Sequence, residues 1–164
     1  MANTPISDLY ANFFQLIDGI SLHNLQDELK EIRLEGYLKR TLALECRNLT
    51  YPNAKGEYFK IKFEDIISEN ILNELDEIVG TQKVFPYEIP LTEQWIIAYG
   101  MVIGWLTPKV NRERLLRESL GDRDYSESSH GNQLQQLMKL FENAKYEIEQ
   151  FKLDHSFDGF EGFN

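Results

Sequence analysis

The sequence predicts a mainly α protein: a helical bundle of about five or six helices, with one candidate short strand or hairpin and an extended C-terminal tail. Two observations lead to this fold class. Apolar residues recur three and four positions apart in several segments, which is the period of an amphipathic helix. Only one short run alternates with period two. The chain has 164 residues, of which 42% are hydrophobic, and this suits one domain with a real core.

Two amphipathic helices are expected at the start of the chain. The first covers Ile6 to Ile17, and Gly19 follows its end. The second runs from about Asn24 to Leu44. Asn24 is a suitable N-cap for the second helix, and the acidic residues after it lie where the helix dipole favours negative charge.

The one alternating run follows a loop of turn residues over 48–57. It covers Tyr58 to Phe63 and places Phe59 and Ile61 on one face, so we expect a short strand there. No partner strand is evident in the sequence. We therefore expect the strand to pair either with the preceding loop or with another subunit.

The segment from Asp65 to Val79 is predicted to be a helix, because its isoleucines and leucines fit the helical period. From Glu64 through Glu77 it holds six acidic residues and no Lys or Arg. The residues from Thr81 to Pro90, which include two prolines, are predicted to form a connector.

A helix that is apolar all round is expected from Trp95 to Leu106, and Pro108 should end it. Such a helix is buried on all sides, so it should be the hub of the domain or be covered partly by a neighbouring subunit. It is too short to span a membrane, which takes about 20 apolar residues. Its pair of glycines, Gly100 and Gly104, should let another helix approach closely.

The rest of the chain is predicted to contain a charged helix over 111–120 and a long amphipathic helix from Gln133 to about Leu153. We therefore place a helical domain over residues 1–153 and a Phe-rich acidic tail over 154–164. Glycines in the tail argue against a helix. The tail either folds back on its own core or docks in a partner's groove, through its three phenylalanines, Phe157, Phe160 and Phe163.

The charge and the reactive residues exclude several function classes. The formal net charge is −10, whereas a free-standing nucleic-acid binder is usually basic. The three histidines have no metal-ligand spacing, and the single cysteine, Cys46, is more typical of a small buried apolar residue than of a catalytic thiol. We expect no catalytic, cofactor-binding or metal-binding residues, and no enzyme activity.

A basic cluster follows the predicted core helix. It contains Lys109 and three arginines, and nearby acids nearly balance it. It forms either a salt-bridged surface helix or a face that docks on an acidic neighbour. The arginines are Arg112, Arg114 and Arg117.

Several local patterns together resemble a known family. They are Ser7-Asp8-Leu9-Tyr10, Glu35-Gly36-Tyr37-Leu38, Met101-Val102-Ile103-Gly104-Trp105-Leu106 and Gly121-Asp122-Arg123-Asp124-Tyr125. In this order, followed by a long C-terminal helix, they are similar to the head–tail connector or neck (head-completion) proteins of tailed bacteriophages of Gram-positive hosts. The similarity spans about residues 5–153 and leaves out the tail. The sequence departs from the family pattern at Gln94-Trp95, where an acidic or other polar residue followed by an aliphatic one would be expected.

The resemblance implies a structural virion protein, made in the host cytoplasm and located in the neck of the particle. Such proteins form a ring of about twelve copies below the portal protein, join head to tail, and contact the next neck or tail protein. DNA passes through the ring without specific binding, and no membrane or cofactor is involved. Twelve copies at −10 each carry on the order of −120 formal charges, which would repel DNA phosphates from the channel wall.

The ring implies two sets of contact residues. Inter-subunit or portal contacts are expected at the tail and the short strand, through Phe157, Phe160, Phe163, Phe59 and Ile61. A lumen or docking face is expected from charged residues of two segments: Glu64, Asp65, Glu69, Glu74, Arg112, Arg114 and Arg117. The alternative function is an acidic phage-encoded interaction protein that modulates a host enzyme.

Overall fold

A computed structural model describes residues 3–17, 27–47, 49–52, 55–121 and 130–158, with most of their side chains. Within these ranges the helices are α1 (Ile6–Ile17), α2 (Asp27–Leu44), α3 (Leu91–Leu120) and α4 (His130–Asp158). The strands are β1 (Thr4–Pro5), β2 (Tyr51–Pro52), β3 (Tyr58–Phe59), β4 (Ile67–Leu72) and β5 (Ile78–Phe85). A 3-10 helical turn covers Phe63–Asp65.

The predicted bundle of about five or six helices with one candidate strand or hairpin is wrong, because the described residues form four helices and two small antiparallel sheets. The largest change concerns the segment from Asp65 to Val79, which forms a strand and a turn instead of a helix. β4 and β5 pair as a hairpin from Ile67 opposite Val84 to Leu72 opposite Ile78, with a bulge at Leu72. β1 adds to the other edge of β5, so the strand order is β1-β5-β4.

The turn of this hairpin is organised by one side chain. The Asn73 Oδ1 atom accepts hydrogen bonds from the backbone N–H groups of Leu75 and Glu77, at 2.8 and 3.0 Å. Asp76 has a φ of 61°, the left-handed conformation that Asp and Asn tolerate better than most residues. These hydrogen bonds stabilise the turn and the chain reverses there, so the segments on either side, which contain isoleucine and valine, pair as strands.

The short strand is only partly as predicted. β3 covers Tyr58 and Phe59, and its partner is β2 in the preceding loop, which was one of the two pairings expected. Residues 63–65 then form the 3-10 turn instead of continuing the strand. The expected connector from Thr81 is also wrong in its first half, since β5 continues to Phe85.

The core is built around α3, whose buried face confirms the predicted hub. α1, α2 and α4 all pack on it. The fully buried large side chains come from several elements and include Leu9, Phe13, Leu38, Phe85, Ile89, Ile96, Ile97, Met101, Leu106 and Ile148. No helix in the described ranges has the length and apolar content to cross a membrane.

Two glycines set how closely α2 approaches α3. A Cβ atom added at Gly100 would overlap the Thr41 Cγ2 atom, at a separation well under 3.0 Å. At Gly104 an added Cβ would lie 3.4 Å from Arg40 Cδ, which is an ordinary contact. The predicted close helix approach is therefore confirmed, and Gly100 is the position that requires it.

Pro108 lies inside α3 and does not end it, contrary to the sequence prediction. A proline removes one backbone hydrogen bond from a helix interior but does not by itself stop the helix when both flanks favour it. The buried apolar segment and the charged segment over 111–120 therefore form one continuous helix.

The last helix is longer than predicted at both ends. α4 reaches Asp158, so residues 154–158 are helical and not extended. It packs on α3 through the buried Ala144 and Ile148, and through Phe151, whose ring centroid lies 5.7 Å from that of Tyr99. Phe160 and Phe163 lie outside the described residues, and so does the side chain of Phe157.

Candidate assembly surfaces

The outer part of the β4–β5 hairpin, residues 69–80, carries a set of exposed apolar side chains. We call it the arm. Leu75 at its turn is 77% exposed, and Ile78 and Val79 on the returning strand are 64% and 61% exposed. Leu72 and Ile71 are exposed as well. Single exposed apolar residues are common, but a contiguous group of this kind marks an interaction surface.

In the described part of the chain, ion pairs fasten the hairpin to the helices near its base. Lys83 of β5 forms an ion pair with Glu31 of α2 at 3.4 Å and a second, closer one with Glu35. The hydrogen bond to Glu35 raises the pKa of Lys83 above its usual value. Among the described elements, β4 packs substantially only on β5. From Lys83 to Ile78 the strand β5 therefore extends outward over five residues, or about 17 Å.

The arm is acidic as well as apolar. Between residues 69 and 80 there are four acidic residues and no Lys or Arg. Glu69 accepts hydrogen bonds from Asn3 and Gln82, which hold it against the sheet. Glu74 is exposed at the turn, beside Leu75. The acidic residues of the arm therefore lie beside its exposed apolar side chains.

The other two predicted acids lie apart from the arm, at the 3-10 turn. Asp65 is half-buried and accepts a hydrogen bond of 2.8 Å from the Tyr87 hydroxyl. Burial and this bond raise the pKa of Tyr87. Glu64 is exposed. Because the 65–79 segment is not a helix, these acids and those of the arm do not share one helical face.

The second surface is the C-terminal half of α3, residues 109–117, which we call the basic stretch. Arg112, Arg114 and Arg117 are exposed there, and Leu115 between them is 66% exposed. Glu113, the one acid of the stretch, is buried. Because Glu113 faces inward and the arginines face outward, the outer face of the stretch is positive as far as Arg117, where the exposed Glu118 follows.

The two residues expected to make strand contacts lie elsewhere and are half-buried. Phe59 packs on Tyr51 and Tyr87, with ring centroids 4.1 and 5.0 Å apart. Ile61 packs against the edge of the core. Both side chains thus contribute to packing within the chain.

The clefts in the described part of the molecule include two that border buried or half-buried titratable side chains. The larger, about 630 Å³, lies between α1, α2 and the hairpin and is lined by residues that include Tyr10, Phe14, Leu34 and Gln82. The Tyr10 hydroxyl is buried and lacks a hydrogen-bond partner among the described atoms. The smaller cleft, about 310 Å³, includes Cys46, and burial raises the pKa of its thiol to about 12.

Burial keeps the Cys46 thiol in its protonated form. A thiol with so high a pKa is protonated at neutral pH and is a poor nucleophile. No group of three or more His, Cys, Asp or Glu residues that could hold a metal ion occurs within the described ranges.

Sequence reasoning identified the charges of both surfaces but missed their apolar members, Leu75 and Leu115. The helical period places Leu75 in the buried stripe of the helix predicted there. The signal that could have located it is the pair of turn residues Asn73 and Asp76 between two runs that contain β-branched residues, which suits a hairpin turn.

Comparisons with protein-family models, with curated proteins and with solved structures gave no match.

Proposed function

We propose that this protein is a head–tail connector of a tailed phage: a structural subunit that forms a ring below the portal, joins head to tail and extends the DNA channel. The observation that carries the proposal is the arm. A projecting, exposed apolar hairpin is costly in a free monomer and is typical of a subunit that buries it on assembly.

The edge of the sheet supports the same conclusion. β4 is an edge strand of six residues, and its outer backbone groups have no strand beside them in the described structure. Monomeric proteins usually protect such edges, because an exposed strand pairs readily with another chain. The acidic side chains of the arm limit non-specific pairing and leave a specific partner able to cover the edge.

The charge balance also suits a DNA channel. A net charge of −10 on each subunit makes a ring that repels phosphate, so DNA slides through without being held. We therefore keep the prediction that acids not used in contacts, such as Glu64, face the lumen. A map of the ring with a net basic lumen would contradict this part of the proposal.

Protein mass spectrometry of gradient-purified virions tests the function. The expected result is about one copy of this chain for each portal subunit, because neck rings match the portal. The alternative, an acidic modulator of a host enzyme, predicts abundant free protein in the lysate and none in the virion. That outcome would refute the connector proposal.

A further inference from the structure

We infer that the arm of one subunit docks on the basic stretch of a second copy of the same chain. The inference rests on the proposed ring, and it specifies which two surfaces close it. The arm is residues 69–80 of the hairpin, and the basic stretch is residues 109–117 of α3.

Charge complementarity is the first argument. The arm has four acidic residues and no basic one, whereas the basic stretch has four basic residues and one acid, the buried Glu113. Opposite charges around an interface guide the encounter and fix the register of the two surfaces. Two copies of the arm would repel each other, and so would two copies of the basic stretch.

The apolar side chains are complementary in the same way. Leu75 is the most exposed large apolar residue of the arm, and Leu115 is the exposed leucine among the arginines of the stretch. An apolar centre surrounded by charged side chains is the usual anatomy of a protein interface. The pairing of Leu75 with Leu115 would put both in that centre.

The contact is not satisfied within one chain. Among the described elements, β5 packs on β1, β4 and α1, and no substantial packing joins either strand of the hairpin to α3. Within the described ranges the basic stretch contacts α4, where the Arg114 Nη2 atom lies 3.7 Å from Met138 Sδ, and it has no substantial contact with the arm. A contact between an arm and a basic stretch therefore needs a second copy of the chain. Because the arm and the stretch are different surfaces, the contact is head-to-tail, which is the kind of interface that closes into a ring.

DNA is the other obvious occupant of a basic surface. It would use the arginines but would leave the acidic, apolar arm uncovered and would be repelled by it. A second copy of this chain covers both surfaces with one contact, so it is the occupant we propose.

Cysteine cross-linking in the full-length protein tests the geometry. Leu75→Cys and Leu115→Cys are both at exposed positions, and the native Cys46 is buried. An equimolar mixture of the two single variants should form, under mild oxidation, disulfide-linked heterodimers in clear excess over either homodimer. The double variant should give a ladder of cross-linked oligomers.

Charge reversal tests the electrostatic part. Glu74→Arg or Arg112→Glu alone should weaken self-association roughly tenfold or more, and the two reversals together should restore most of it. Glu142→Arg, the same charge change at an exposed position of α4, is the matched control and should have little effect. Thermal unfolding by circular dichroism should be unchanged in all four variants.

The outcomes separate the two proposals. If the protein forms rings or is found in virions at portal stoichiometry, but the cross-link and the charge rescue both fail, the docking inference is refuted and the connector function stands. If the protein is absent from virions and stays monomeric at every concentration, the ring is refuted and the docking inference with it.

Discussion

Replacement of Gly100 by alanine should destabilise the protein, although alanine is the better helix former. The added Cβ would lie well under 3.0 Å from Thr41 Cγ2, closer than real Cβ atoms approach their neighbours. Thr41 is fully buried, and its hydroxyl donates a 2.7 Å hydrogen bond to the Tyr37 carbonyl, so its side chain is held in place. The clash must therefore be relieved by moving α2 away from α3.

The magnitude follows from two opposing effects. Overpacking a core costs about 1–3 kcal/mol, and a contact this short belongs in the upper half of that range. Replacing glycine by alanine inside a helix recovers about 1 kcal/mol. We expect Gly100→Ala to lower the free energy of unfolding by about 1–2 kcal/mol, which corresponds to a Tm lower by roughly 2–8 °C.

A double-mutant cycle identifies the cause. Thr41→Ser removes the clashing methyl and keeps the hydroxyl, and alone it should cost about 1 kcal/mol for the lost buried group. The double variant Gly100→Ala/Thr41→Ser should return to within about 1 kcal/mol of the wild type, because the new methyl fills the space. Gly104→Ala is the matched control and should be neutral or stabilising by up to about 1 kcal/mol.

Urea unfolding monitored by circular dichroism, with two-state analysis, measures all four variants. If Gly100→Ala is as stable as the wild type or more stable, the close approach of α2 and α3 at Thr41 is refuted. If Gly100→Ala is destabilised but Thr41→Ser does not rescue it, the clash lies elsewhere.

Three further predictions concern the arm, the pH dependence and the tail. Asn73→Ala should speed amide hydrogen exchange in the arm roughly 5- to 30-fold, because the turn loses its side-chain acceptor. Exchange in α3 should stay unchanged. An exchange rate in the arm equal to that of the wild type would contradict the assigned turn. Burial raises the pKa of Cys46 from 9.0 to about 12, so above pH 9 the unfolded chain loses this proton before the folded one does. The free energy of unfolding should therefore fall between pH 9 and 12, and it should fall less steeply in Cys46→Ala. Urea titrations that give the same free energy of unfolding at about pH 8 and about pH 10.5 would refute this prediction. Deletion of residues 159–164 should leave the Tm unchanged and weaken self-association in analytical ultracentrifugation, whereas a lower Tm would mean that the tail is part of the core.

Much of the helical framework was predictable because its signals are local. α1 was predicted with its observed bounds, since its apolar residues follow one helical stripe and a glycine closes the segment. The buried part of α3 was predicted because a segment apolar on all sides has no solvent face. The close approach at Gly100 followed from two small residues on that same helix.

The candidate surfaces were only partly predictable. The acidic and basic runs are visible in the sequence, because charge is a property of the residues themselves. Which charges face solvent depends on packing. Glu113 is buried while Arg112 and Arg114 are exposed, and Asp65 accepts a hydrogen bond from Tyr87. The turn residues Asn73 and Asp76 are the sequence signal that could have located Leu75, whereas the pattern contains no signal for Leu115, because its exposure depends on the tertiary structure.

The sequence by itself determined the size of one domain, through its length, and the strong negative charge, through its composition. Its local periodicity determined the helical regions of α1 to α4 and the buried hub. Only the tertiary structure decided that residues 65–79 form a strand and a turn. Their isoleucines and leucines fit the helical period and also both faces of a ribbon, so the local pattern is ambiguous. Three contacts favour the hairpin: the pairing with residues 78–85, the hydrogen bond that Asn73 accepts across the turn, and the ion pair of Lys83 with α2. A local sequence pattern does not contain such contacts.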